Sequence, residues 1–190
     1  KKGARFYFKK MIRKNPNAPK SFEYQNQIVN LYLTATKSKI FKQELYHWVE
    51  YYGPKGRWAL KNAKAKALVN KSKELVEASL RAYTLQNHQT AQNSHGAQST
   101  SAAKNGYELY FKTFVSTPYL GDMHFFFGEM MFDLKKYKIA AKHYIWVVEN
   151  DKKKKGKYYK KSLLNSILAL EKHLPTDKEI SKIVGKSKAK

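Results

Sequence analysis

The sequence predicts an all-α protein built as a solenoid of antiparallel helix pairs. Three observations lead there. Between breaks, apolar residues recur at spacings of three and four, the period of an amphipathic helix. The 9 glycines and 5 prolines are few, and most stand where helices should end. A pattern in the second half of the chain is echoed at a distance of 37 residues, from Ala103 to Ala140, which marks a repeat.

Each element follows from its residues. Phe8, Met11 and Ile12 place a helix over 2–14, stopped by Pro16 and Pro19. Ile28, Tyr32 and Ala35 give a second over 20–35. Leu45, Trp48 and Val49 give a third over 38–52, closed by Gly53-Pro54. A long helix is expected over 57–94, breaking near Asn70. Residues 86–101 hold few apolar side chains and read as an exposed helix end running into a mobile loop. Helices over 99–115, 119–134 and 137–150 follow, the last two defined by Phe127, Met131 and Leu134 and by Tyr144, Val147 and Val148. A helix over 157–173 ends before Pro175, and 177–184 is a further candidate. The stretch from Lys152 to Lys155 reads as a solvated turn and 177–190 as a basic, frayed tail.

The repeat is clearest from Met123 to Asp151. His124, Phe127, Gly128 and Met131 occupy a first helix, Tyr137 the turn, and Ala140 and Tyr144 a second helix. Two helices approach closely only where one side chain at the crossing is tiny, and Gly128 in a helix otherwise costs about 1 kcal/mol relative to Ala. Ala103 with Tyr107, and Ala4 with Phe8, repeat the second-helix signature. This arrangement resembles the tetratricopeptide repeat, whose pattern sets an aromatic, a Gly and a Tyr on one helix and Ala-x-x-x-Phe on the next. The spacing slightly exceeds the basic ~34-residue repeat, and it resembles bacterial envelope and gliding-motility proteins of that family. The resemblance implies about four repeats in one domain over 1–176. Their units are 1–16 (partial), 20–54, 75–116, 119–152 and 157–174 (partial), with Ala91 and Ala103 at the contact of the third. The chain opens on what looks like a second helix without its first, so a fragment of a longer protein is expected.

The resemblance also implies a binding face on the first helices of the pairs. Carried onto this sequence, it comprises Glu23, Asn26, Asn30, Leu33 and Thr34, then Leu85, His88, Gln92 and His95, then Asp122, Phe125, Glu129, Phe132 and Asp133. Phe125 and Phe132 are the leading anchors, because aromatics in a groove are common interface hot spots. The implied activity is the binding of another protein, through an acidic or extended segment, in a bacterial envelope or periplasmic assembly, with no catalysis and no cofactor.

Composition narrows the partners. The net charge of +24 favours acidic ones. Arg occurs only at Arg5, Arg13, Arg57 and Arg81, so the bidentate readers of phosphate and base edges are scarce. Lys152, Lys153, Lys154, Lys155, Lys157, Lys160 and Lys161, interleaved with Tyr158 and Tyr159, form a basic patch. That patch supports an alternative: an α-solenoid holding nucleic acid by charge and stacking. With no Cys, there is no disulfide or thiolate metal site. His88 and His95 lie two turns apart without a carboxylate nearby, so no metal centre is expected. No apolar run reaches the ~20 residues of a membrane span. The glycine-rich phosphate loop and the nucleophile elbow are absent.

Overall fold

The computed structural model describes residues 3–33, 38–151 and 154–175. Among these residues every regular element is a helix: α1 (Ala4–Lys14), α2 (Ser21–Leu33), α3 (Ser38–Tyr52), α4 (Arg57–Lys61), α5 (Lys66–Ser94), α6 (Ala97–Thr113), α7 (Leu120–Asp133), α8 (Tyr137–Asn150) and α9 (Tyr159–His173). The chain packs as two compact units, Lys1–Val115 and Ser116–Lys190. The division falls next to the boundary between the third and fourth expected repeats, 75–116 and 119–152.

In the first unit α1 lies on α2, α2 on α3, α3 on α4 and α5, and α5 on α6. Leu45, Trp48, Val49 and Tyr52 share one face of α3 and are each at most 1% exposed. They meet Phe22, Ile28 and Val29 of α2 and Trp58 of α4 in a core rich in aromatics. The Phe22 and Tyr52 rings lie 5.0 and 5.6 Å from that of Trp58. Burying rings of this size contributes roughly 1.5–3 kcal/mol each. One carboxylate ties the first three helices together. Glu44 of α3 accepts from Arg5 Nη2 (2.6 Å), Lys9 Nζ (2.7 Å) and Gln25 Nε2 (2.9 Å). Burial pushes its carboxyl up, but those hydrogen bonds from Lys9, Gln25 and Arg5 outweigh burial and hold it at about 2.

The long helix expected over 57–94 breaks earlier than Asn70. Asn62 ends α4, its amide donating to the Trp58 and Asn17 carbonyls at 3.0 Å, while Trp58 Nε1 donates to Ala18 O at 2.8 Å. These bonds clamp α4 to the Pro16–Pro19 turn, and the chain restarts as α5. Residues 86–101 hold the expected helix end and the start of the next helix, but the connection between them is a two-residue turn and not a loop. α5 runs to Ser94, His95 adopts the left-handed conformation (φ 49°, ψ 25°), and α6 begins after Gly96. A left-handed residue is a common way to stop a helix. Ala91 and Ala103 are both buried as expected. Asn105-Gly106, a pair typical of tight turns, sits inside α6, where Gly106 allows close approach to α5: a Cβ there would lie 2.4 Å from Thr84 Oγ1. Tyr107 and Tyr110 reach back from α6 to α5, to His88 Nδ1 (2.8 Å) and Glu77 Oε1 (2.5 Å).

The second unit is an antiparallel stack of α7, α8 and α9 around Met123, Phe125, Phe127, Met131, Ala140, Tyr144 and Val147. Gly128 faces Tyr144, one turn beyond Ala140: a Cβ there would stand 2.7 Å from the ring. That ring is fixed, since it is 1% exposed and its hydroxyl donates to Glu129. Tyr137 meets Phe132 edge-on at 5.2 Å, closing the turn. Ala4 departs from the expected packing signature. As the first residue of α1 it is exposed and at no helix crossing; Phe8 supplies the contact instead, stacked on Tyr24 at 6.0 Å. The candidate helix 177–184 lies outside the described residues.

Candidate protein-binding surfaces

In the first unit a hollow of about 790 Å³ opens between the end of α2, the start of α3 and the α5–α6 hairpin. Its wall is one face of α5, because Tyr83, Gln86, Asn87, Thr90 and Ser94 recur at helical spacing. Phe41 and Lys42 of α3 stand opposite, with Tyr32, Leu33 and Lys39 beside them. Aromatic packing makes the floor: Tyr83 lies 5.8 Å from Phe41, and Tyr46, behind the lining residues, lies 6.2 Å from Tyr83. Lys42 Nζ sits 5.3 Å over the Tyr46 ring. Burial pushes the Tyr46 hydroxyl up to about 12, so it stays neutral. Thr90 and Ser94 donate back to the Gln86 and Thr90 carbonyls, and Asn87 to Tyr83 O. Each therefore spends a donor within the helix; Thr90 and Asn87 keep an acceptor oxygen, while Ser94 Oγ accepts from Gly96 N–H at 3.3 Å. The chemistry on offer is two cations, an apolar floor and a row of acceptors.

The face expected on α5 lies nearly half a turn from the one that lines the hollow, at about 100° per residue. His88 is 5% exposed and shares its hydrogen bond with Tyr107, so it belongs to the α5–α6 contact and cannot meet a partner. The reason is that α6 packs on the Thr84–His88–Ala91 side, leaving Tyr83, Gln86 and Asn87 to line the hollow. Leu85 is half-buried, while Gln92 and His95 are exposed outside the hollow. On α2, Asn30 and Leu33 are exposed and Glu23 and Asn26 half-buried; Leu33 alone of these lines the hollow. Thr34 lies outside the described residues.

In the second unit Phe125 is not a free anchor. It is 2% exposed and stacks on Tyr158 at 4.1 Å with an 8° tilt. Glu129 is likewise engaged, accepting from Tyr144, from Asn165 Nδ2 at 2.8 Å and from Lys161 Nζ at 3.3 Å. The α7 face expected to bind a partner is thus covered by the chain's own α9 and the turn before it. Phe132 and Asp122 are half-buried and Asp133 is exposed. His124 and His143 bring their Nδ1 atoms within 2.8 Å, and Trp146 stacks on His124 at 3.8 Å. Burial pushes these rings down to about 3 and about 4, helped for His124 by the facing His143 and for both by Lys142. Among the described residues no group of three or more His, Asp or Glu is placed to hold a metal, and no helix is long and apolar enough to cross a membrane.

The basic patch is partly used within the chain. Lys157 Nζ lies 4.8 Å over the Tyr158 ring, and Lys161 reaches both Glu129 and the Phe125 ring at 5.0 Å. One face of Tyr158 is already taken by Phe125. Lys154, Lys155 and Lys160 are exposed; Lys152 and Lys153 lie outside the described residues. Phe41, Lys42, Tyr83, Gln86 and Asn87 line the hollow without being among the expected face residues. Only Gln86 and Asn87 carry a signal in the sequence, the polar run rich in amides and hydroxyls that they open. No protein-family model, curated protein or solved structure matches the chain.

Proposed function

We propose that the chain is a non-catalytic helical-repeat scaffold of the tetratricopeptide type, which binds an acidic, extended segment of another protein. The hollow of the first unit carries this reading. Its lysines suit carboxylates, its acceptor row suits the N–H groups of an extended backbone, and its Phe41–Tyr83 floor suits an apolar side chain. Helix pairs nested at Gly106 and Gly128 support the repeat reading. Membership in a bacterial envelope or motility assembly is proposed on the resemblance in repeat length alone. Nucleic-acid binding is the weaker reading, because Phe125 already occupies one face of Tyr158.

The test is fluorescence anisotropy with two labelled probes, a Glu-rich dodecapeptide carrying two Leu and a random-sequence single-stranded oligonucleotide, at several salt concentrations. Lys39→Glu/Lys42→Glu should weaken the peptide ~10-fold or more, as loss of interface anchors does. Unchanged peptide affinity overturns the proposal. So does tighter oligonucleotide binding with a steep salt slope, the mark of phosphate neutralisation.

A further inference from the structure

The last described helix is amphipathic in an inverted sense. α9 turns Ser162, Ser166 and Ala169, all at most 5% exposed, toward the rest of its unit. It leaves Leu163, Leu164, Ile167, Leu168 and Leu170 between 42% and 63% exposed. The helix cannot roll to hide them. Small residues are what allow its close seat, and Asn165 is tied to Glu129, itself held by Tyr144. Leu163, Ile167 and Leu170 follow one another at spacings of four and three, the spacing of a coiled-coil seam, over ~10 Å of helix. Leu164 and Leu168 form a second row beside it.

We propose that this face of α9 is a docking site for an acidic amphipathic helix of another protein. Charge complementarity selects that occupant. The charged residues of α9 are Lys160, Lys161 and Lys172 against a single Glu171, and Lys160 stands one turn before Leu163 in the same seam. A second copy of this chain would bring together two molecules that each carry a charge of +24. A helix with Leu at its seam positions and Glu at its flanks would bury the aliphatics and meet Lys160, while Lys161 and Lys172 are engaged by Glu129 and the Tyr137 ring and add to the positive field. The site is independent of the hollow in the first unit.

The experiment uses the full chain and a labelled 16-residue peptide with Leu at the a and d positions of two heptads and Glu at the flanks, beside the same peptide with Lys for Glu. The Glu peptide should bind and the Lys peptide should not. Ile167→Asp and Leu170→Asp should each weaken binding ~10-fold or more. Both sites are about half exposed, so helical circular dichroism should be unchanged. Lys160→Glu keeps the apolar face and should weaken binding most at low salt. Absence of binding, equal binding of the Lys peptide, or indifference to Ile167→Asp overturns the proposal. Sedimentation showing a homodimer that Ile167→Asp breaks would assign the face to a second copy and overturn it as well.

Discussion

Replacing Glu44 by Gln keeps the shape of the side chain and its bond to Gln25, but removes the charge that Arg5 and Lys9 converge on. The magnitude follows from proton affinity. A carboxyl held at about 2 in the folded chain, against ~4.3 when unfolded, contributes about 3 kcal/mol at neutral pH, at 1.36 kcal/mol per tenfold change. Glu44 is only 6% exposed, but the Arg5 side chain is 48% exposed, so solvent screening reduces the figure to about 2 kcal/mol. Because the folded value is depressed, the contribution is complete above the unfolded pKa and disappears as pH falls toward the folded one. Urea titrations in a Trp146→Phe background would read the first unit through Trp48 and Trp58, both fully buried. Glu44→Gln should be less stable by about 2 kcal/mol at pH 7, with about a third of that gap gone by pH 3.5. A gap below ~0.5 kcal/mol, the value of an exposed ion pair, or one that does not change with pH, would refute the reasoning.

Three further outcomes follow from the packing. Gly128→Val should cost about 1–3 kcal/mol, measured by thermal unfolding, since the Tyr144 ring it would strike is buried and bonded to Glu129. His95→Gly should raise stability by roughly 0.5–1 kcal/mol, because a side chain in the left-handed region is relieved; a lower melting temperature would contradict this. The His124 and His143 ring protons should show no titration by NMR between pH 8 and pH 5. Their lowered pKa values mean that the unfolded chain takes up protons first, so the second unit loses stability as pH falls from ~6.5 toward about 4. A ring titrating near 6.5 would contradict it.

Much of the helical architecture was legible because apolar spacing and helix breakers are local signals. α3 and α8 begin and end where Leu45–Trp48–Val49 and Tyr144–Val147–Val148 place them. The break after Lys61 was not legible, since Asn62 is held by Asn17 and Trp58 by Ala18, contacts more than thirty residues away in sequence. The break after Ser94 was legible, but not its shortness: a left-handed His95 and Gly96 suffice to turn the chain, and polar helix faces look like loops in composition. The candidate site was read less well. A family pattern says which helix faces inward, but which rows of α5 lie open depends on where α6 seats, and Gly106 against Thr84 decides that. Phe125 and Glu129 were misplaced for the same reason: Tyr158 and Asn165 cover them, and neither contact has a local signature.

The claim that the first unit grips an acidic, extended segment is tested most directly by NMR, titrating the labelled chain with the Glu-rich dodecapeptide. The account predicts shifts concentrated at Lys39, Phe41, Lys42, Tyr83, Gln86, Asn87 and Thr90, saturating at one peptide per chain. Shifts spread over the lysines of both units without saturation, or none at these seven residues, would contradict it.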